Sequence, residues 1–453
     1  MFKKVLIANR GEIALRIART CRELGVASVG VYSSADRDPR ALRHFDETIH
    51  IGPPLSRRSY QSIPAVIEAA IGTGADAIHP GYGFLSEDPD FAEVCADNGL
   101  TFVGPTPSLM AALGDKSSAR KLMSEAGLPL LPGSVAPIGT AADAVRTADD
   151  IGYPVIIKAV AGGGGKGIVV VTDPNELVPT YEHARAGAGA VFGDDRVYIE
   201  RYLAHARHVE VQVLCDNRGN GIHLGTRDCS VQRRHQKLLE EGPAPSLTTT
   251  DAMAEAAVKA ALAVGYTGVG TFEFLVDEHE RHYFMEINTR LQVEHPVTEA
   301  ITGVDLVRQQ LLVAAGYPLA LTQQDVVLRG VAVECRVNGE DPDRDFVPTA
   351  GTLDRFDPPG GPFTRVDTHA FAGYALGPHY DSLLAKVIVW APDRAQALDR
   401  MDRALAEFAV SGRGVRTTIP FLRQVIADAE FRKATHSTAL VDRIQATTKE
   451  VGA

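Results

Sequence analysis

Apolar positions recur along this chain in two alternating rhythms. Residues 4–8 make a short strand-like run, and residues 13–24 carry apolar side chains at helical spacing up to Gly25. Residues 28–32, 75–78 and 101–103 read as further strands, with helices over 62–71 and 89–98. Strand and helix in turn predict a doubly wound α/β unit. The Gly-rich turn HPGYGFLSE (79–87) lies at a strand's carboxyl end, where open α/β sheets form their ligand crevices. No GxGxxG follows the first strand, so nothing there predicts a dinucleotide.

The pattern changes near Gly114. Asp115 is placed to cap a helix running to about Ala126, stopped by Gly127 and Pro129. Strands at 155–159, 168–171, 197–199, 209–214, 271–276 and 283–287 alternate polar with apolar residues, which predicts antiparallel pairing. Asp305 caps a later helix that ends at Gly316 before Pro318. A third region from about Val331 has strands at 332–337 and 384–390, a loop at 357–362 and a helix over 393–408. The expected fold is mixed α/β (α+β), divided as 1–113, 114–330 and 331–453.

Composition narrows the classes. A chain of 453 residues at 45% apolar and 23% charged content is long enough for several globular domains. Its net charge of -11 argues against nucleic acid or an anionic membrane as main partner, though local Lys and Arg clusters can still hold phosphate. The five cysteines are odd in number and never form CxxC, as expected of a reducing compartment without a zinc site. The start, MFKKVLIANRGE, lacks the apolar core of a signal peptide, and no run approaches a membrane span. A cytoplasmic protein is expected.

Chemistry concentrates in four places. The stretch AGGGGKGI (161–168) carries Gly163, Gly164, Gly165, Lys166 and Gly167, whose backbone could wrap a polyphosphate. Gly167 stands where a Walker loop needs Ser or Thr, so a mobile flap fits better than a P-loop; a plain surface loop competes. Lys158 ends an apolar strand just before it, and Lys116 falls in the first turn of its helix, where the macrodipole disfavours a cation by roughly 0.3–1 kcal/mol. A bound phosphate would offset both placements.

Carboxylates come next. Glu273 interrupts TFEFLV and Glu286 interrupts YFMEIN, with Asn288 on the same strand face as Glu286. Residues 277–281 are short enough for a hairpin that would bring Glu273 beside them, giving hard oxygen ligands suited to Mg²⁺. The run EINTRLQVEHP (286–296) adds Arg290, Gln292 and Glu294, a density of buried polarity that predicts a metal-assisted site. RDCSVQRRHQK (227–237) would be a solvated face as a helix, and as a loop after a strand at 222–224 it is a candidate anion cradle. Cys229 within it has no partner base by motif, which favours a packed thiol over a nucleophile.

HPGYGFLSE, GGGGKG, RDCSVQRRHQK, EINTRLQVEHPVTE and ECRVNGED together resemble the biotin carboxylase subunit of acyl-CoA carboxylases, within the ATP-grasp superfamily. The resemblance runs from Lys3 to at least Leu422. It implies a central ATP-grasp domain whose glycine-rich lid, about 131–203, closes over ATP. Lys116, Lys158, His208, Gln232, His235 and Lys237 would surround its phosphates and ribose. The hinge at Glu200, Arg201 and Leu203 would meet adenine, and Glu273, Glu286 and Asn288 would hold Mg²⁺ or Mn²⁺. Lys237, Arg290, Gln292, Val293 and Glu294 would surround bicarbonate, with Glu294 as general base. Arg336 would stabilise the enolate of biotin, and Tyr82 would join that substrate site.

Three positions depart from the family pattern: Thr226 and Thr418 stand where Glu and Asn are usual, and Arg201 replaces a common Lys. None of the six methionines precedes a lysine and the chain ends at Ala453, so biotin is expected on a separate carrier protein. The resemblance also implies a carboxyltransferase partner and a homodimer, with Arg19 and Glu23 at its interface. Two other readings remain: a different ATP-grasp ligase, and a non-catalytic nucleotide-binding subunit of a carboxylase complex.

Overall fold

The computed structural model describes residues 1–134, 136–161 and 167–451. Its first sheet has five parallel strands in the order Glu47–Gly52, Ala27–Ser33, Lys4–Ile7, Ala77–His79, Thr101–Phe102. The first strand in sequence lies at the centre, so strand order reverses there and a crevice opens at the carboxyl ends. The strand Glu47–Gly52 escapes sequence reading because it lies on the sheet's edge, with Glu47, Thr48 and His50 exposed. Helix Gly11–Glu23 buries Ile13, Ala14, Ile17, Ala18 and Cys21 at helical spacing. They share one core with Leu306, Val307 and Leu311 of helix Leu306–Ala314, which fastens the first unit to the second.

The second sheet has eight strands, all antiparallel: His282–Asn288, Gly268–Val276, Arg207–Cys215, Gly221–Arg233, Gln236–Gly242, Val331–Asn338, Leu383–Ala391 and Thr364–Thr368. It runs unbroken from the central segment into the C-terminal one, where Glu240 stands opposite Glu334. Alternation along the strands separates two chemistries. Val209, Val211 and Val213 join Phe272, Phe274, Met253 and Ala257 in a core beneath helix Thr250–Ala263. His208, Glu210, Gln212, Thr271 and Glu273 therefore face the other way.

RDCSVQRRHQK is not a loop. Its residues form the end of one central strand, a two-residue turn at Arg234 and His235 with φ of 46° and 66°, and the start of the next strand. Dense polarity suggested a loop, but in a buried strand such polarity survives when charges pair across the sheet: Arg207 donates to Asp228 at 2.8 Å, and Arg227 pairs with Glu210.

A small three-stranded antiparallel sheet, in the order Ile168–Val171, Val155–Ala159, Val197–Arg201, forms the lid with helices Ala141–Ile151 and Leu177–Phe192. It has its own core, which includes Ala144, Ala148, Val155, Ile157, Val197 and Ile199. Gly163, Gly164, Gly165 and Lys166 lie outside the described residues. Gly167 takes φ +75°, and a Cβ there would meet that of Ala159 at 2.9 Å. Among the described residues no helix is long and apolar enough to cross a membrane.

Candidate active site

The polar face of the eight-stranded sheet carries an interlocked cluster of charge. Lys237, near the start of its strand, donates to Glu210 at 2.6 Å, Glu273 at 2.9 Å and Glu294 at 2.6 Å. Arg336, from the strand Val331–Asn338, donates to Glu240 at 2.6 Å and Glu294 at 2.8 Å. Arg227 is fully buried and reaches Glu210, Gln212 (2.8 Å) and Thr298 (2.7 Å). Burial works against charge on Glu294, but Lys237, Arg336 and Arg227 overcome it and hold the carboxyl well below the usual range. Glu294 is thus ionised at neutral pH.

Glu273 and Glu286 stand opposite each other on adjacent strands, brought into register by a one-residue bulge at Met285. His208 meets Glu273 at 2.9 Å and Asn288 donates to it at 2.9 Å. Burial first, and then the charge of Glu273, push the Glu286 carboxyl upward. Two carboxylates that repel side by side are a donor set fitted to a divalent cation. The Asn288 carbonyl oxygen accepts from Arg290 at 3.0 Å.

Residues 289–294 form no helix or strand and are pinned at both ends. Glu87, in the turn after Ala77–His79, accepts from the Thr289 amide at 3.0 Å and from Arg290 at 2.8 Å. Arg290 also donates to Gln292 at 2.9 Å. The Val293 carbonyl accepts from buried Lys386 at 2.9 Å. Tyr82 donates its hydroxyl to Glu12, and burial raises its own pKa well above normal.

The lid wall contributes a second cluster. Lys158 donates to Glu200 at 2.5 Å, and Arg120 pairs with the other oxygen of the same carboxylate. Lys116 feels Glu286, Lys158 and Glu200, while burial pulls its pKa down. His235 is likewise pulled down, by burial and then by the charges of Lys158 and His208. Gln232 stands across from Lys237. Arg201 faces away, donating to the Ile151 carbonyl at 2.8 Å, and Leu203 is half-buried beyond it.

The sequence of the chain carries three family signatures: biotin carboxylase N-terminal domain over residues 1–110, carbamoyl-phosphate synthase L chain ATP-binding domain over 115–322, and biotin carboxylase C-terminal domain over 334–443. It is 52% identical to a biotin carboxylase of Nostoc sp., covering 98% of this chain and 99% of that protein. The chain belongs to the biotin carboxylase family. A Bacillus subtilis biotin carboxylase is 51% identical, over 98% of each chain. The biotin carboxylase domain dimer of Hydrogenobacter thermophilus 2-oxoglutarate carboxylase, solved with MgADP, ADP and bicarbonate, superposes with a TM-score of 0.93 at 45% identity, covering 98% of each chain. The protein is an enzyme of ATP-dependent biotin carboxylation, and its three-part layout matches that of solved biotin carboxylases.

The departures from the family pattern are accommodated structurally. Thr418 donates to the Arg336 carbonyl at 3.0 Å and accepts from the Asn338 amide at 3.0 Å, so it holds the strand that carries Arg336. Thr226 is buried and accepts from the Ala244 amide at 3.2 Å. Cys229 is a packed thiol: burial and nearby carboxylates push its pKa well up. Sequence reading missed Glu210, Glu240, Arg227 and Glu87. Glu210 was visible by the criterion that found Glu273, a lone carboxylate interrupting an apolar strand (HVEVQVL), whereas Glu240 stands beside Glu241 in KLLEEG and is not singled out that way. Glu87 had no such signal, because its role depends on a turn from another unit.

Proposed function

We propose that this enzyme carboxylates biotin carried on a separate carrier protein, as the first half-reaction of an acyl-CoA carboxylase, through carboxyphosphate. The observation that carries this reading is the bridging of Glu294 by Lys237 and Arg336. An ionised carboxylate held between two cations is a proton acceptor whose basicity rises once those cations turn to substrate anions.

Bicarbonate is held by Lys237, Arg290, Gln292 and the Val293 backbone while its oxygen attacks the γ-phosphorus of ATP. Glu294 takes the bicarbonate proton as that bond forms, and ADP leaves. Lys116, Lys158, His208, Gln232 and His235 hold the nucleotide, with Glu200, Arg201 and Leu203 at the adenine. Glu273, Glu286 and Asn288 would hold Mg²⁺, which supplies charge neutralisation of the phosphates. Lid closure excludes water from a labile product. Carboxyphosphate then yields CO₂ and phosphate. The phosphate removes the ureido proton of biotin while the planar guanidinium of Arg336 stabilises the enolate beside Tyr82. The nitrogen bonds to CO₂, so atoms and charge balance.

The enzyme works as a homodimer; Arg19 and Glu23 are exposed on the first helix, and the Hydrogenobacter relative was solved as a domain dimer. Division into 1–113, 114–330 and 331–453 describes parts that share core and sheet. The test is ADP release from MgATP with and without bicarbonate and free biotin. Strong stimulation by biotin only when bicarbonate is present, abolished in Glu294→Gln, is the expected result. Turnover indifferent to both additions would refute the reading.

A further inference from the structure

Lys386 is fully buried on the strand Leu383–Ala391, beyond the set of residues assigned to the reaction. It stands directly opposite Arg336 on one neighbouring strand and Asp367 on the other. Its ammonium meets the Val293 carbonyl at 2.9 Å and Glu12 at 3.0 Å, and that same Glu12 oxygen accepts the Tyr82 hydroxyl. One nitrogen thereby joins three parts of the molecule: the first helix, the 289–294 segment, and the C-terminal end of the long sheet.

A methionine would fill the same space without a charge to desolvate, so packing does not explain a lysine here. An ammonium can donate to a backbone carbonyl and a carboxylate at once, which no apolar side chain in that space can do. Val293 immediately precedes Glu294, and Glu87 already fixes the other end of the segment. Without the contact at Val293, the segment is free to pivot about Glu87 and carry Glu294 away from Lys237 and Arg336.

We propose that Lys386 is a positioning residue for biotin carboxylation: it fixes the Val293 carbonyl, and with it the bicarbonate segment and Glu294, while holding Tyr82 through Glu12. This rests on the reading of Glu294 as general base. Displacing reacting groups by about 1 Å costs on the order of 100-fold in rate.

The test uses the full-length enzyme with Lys386→Met, measuring kcat, the KM values for bicarbonate and ATP, and amide hydrogen exchange. Expected are a fall in kcat of about 100-fold and a rise in bicarbonate KM, with ATP KM within about twofold of the parent. Exchange should rise in peptides spanning 289–295 and stay unchanged in the lid. A folded variant with parental bicarbonate kinetics overturns the proposal. So does an equal rise in both KM values with faster exchange throughout, which is what a merely structural role gives. If Lys386→Met does not fold, Glu12→Gln, which keeps the shape, is measured instead. It should give the same local rise in exchange, and no change at 289–295 overturns the proposal. Glu294→Gln in the same assay separates the two claims: if it stays active the base reading falls, while local exchange still decides the role of Lys386.

Discussion

In the deep cluster, Glu210, Glu240, Glu273 and Glu294 outnumber Arg227, Lys237 and Arg336, and most of these groups bridge two or more others. On the lid wall the balance is reversed, because Glu200 takes both Arg120 and Lys158. The deep cluster is fixed before substrate arrives, which suits groups that must meet developing charge without reorganising. The wall has cationic excess, which suits the capture of a polyanion. Position follows from the same logic. The deep cluster is carried by strands paired on both sides, while the lid's three strands rest on a small core of their own.

The largest expected break is Lys237→Met. It leaves Glu210, Glu273 and Glu294 facing one another, and loss of one partner from such a buried set costs about 3–5 kcal/mol. Thermal unfolding should show a large drop and turnover should vanish; an unchanged midpoint would mean the cluster is not interlocked. Lys158→Met is expected to behave differently, because Arg120 still pairs with Glu200. Stability should move by no more than about 1 kcal/mol, while ATP KM rises roughly tenfold through loss of a charge-assisted phosphate contact. Steady-state kinetics beside a melting curve would show whether the lid wall serves binding and the deep cluster serves integrity.

A smaller effect concerns Glu334, whose two oxygens have no hydrogen-bond partner among the described residues. Burial lifts its carboxyl well above the usual range, with only partial relief from Lys386. The folded state therefore keeps a proton that the unfolded chain releases above about pH 4.3. The stability this contributes is full below that pH and is lost as the pH rises toward the folded pKa. Glu334→Gln removes the dependence, so its midpoint should gain on the parent's by roughly 1–3 °C between about pH 5 and pH 8. A constant difference across that range would place the proton elsewhere.

Much of this was legible in the chain. The strands 155–159 and 168–171 appear as read, Asp115 and Asp305 cap the helices expected of them, and the helix expected near 393–408 is present, capped by Asp393. The hairpin that brings Glu273 beside Glu286 followed from the short turn, while the bulge at Met285 that sets their pairing left no mark in the sequence. What was not legible depended on long-range pairing. Nothing local says that Gln236–Gly242 pairs with Val331–Asn338 and so carries one sheet through two sequence regions. Polarity in 227–237 misled for the same reason: its counter-charges sit on other strands. Lys158 was read as awaiting a phosphate, and the structure pairs it with Glu200 forty-two residues away.

In the proposed reaction bicarbonate, activated by Glu294, is the nucleophile toward the γ-phosphoryl group. Bicarbonate labelled with ¹⁸O follows that oxygen, with mass analysis of the phosphate released during biotin-dependent turnover. One labelled oxygen is expected in each phosphate, because the attacking oxygen stays on phosphorus when carboxyphosphate breaks down. Unlabelled phosphate would contradict it, since water rather than bicarbonate would then have attacked ATP.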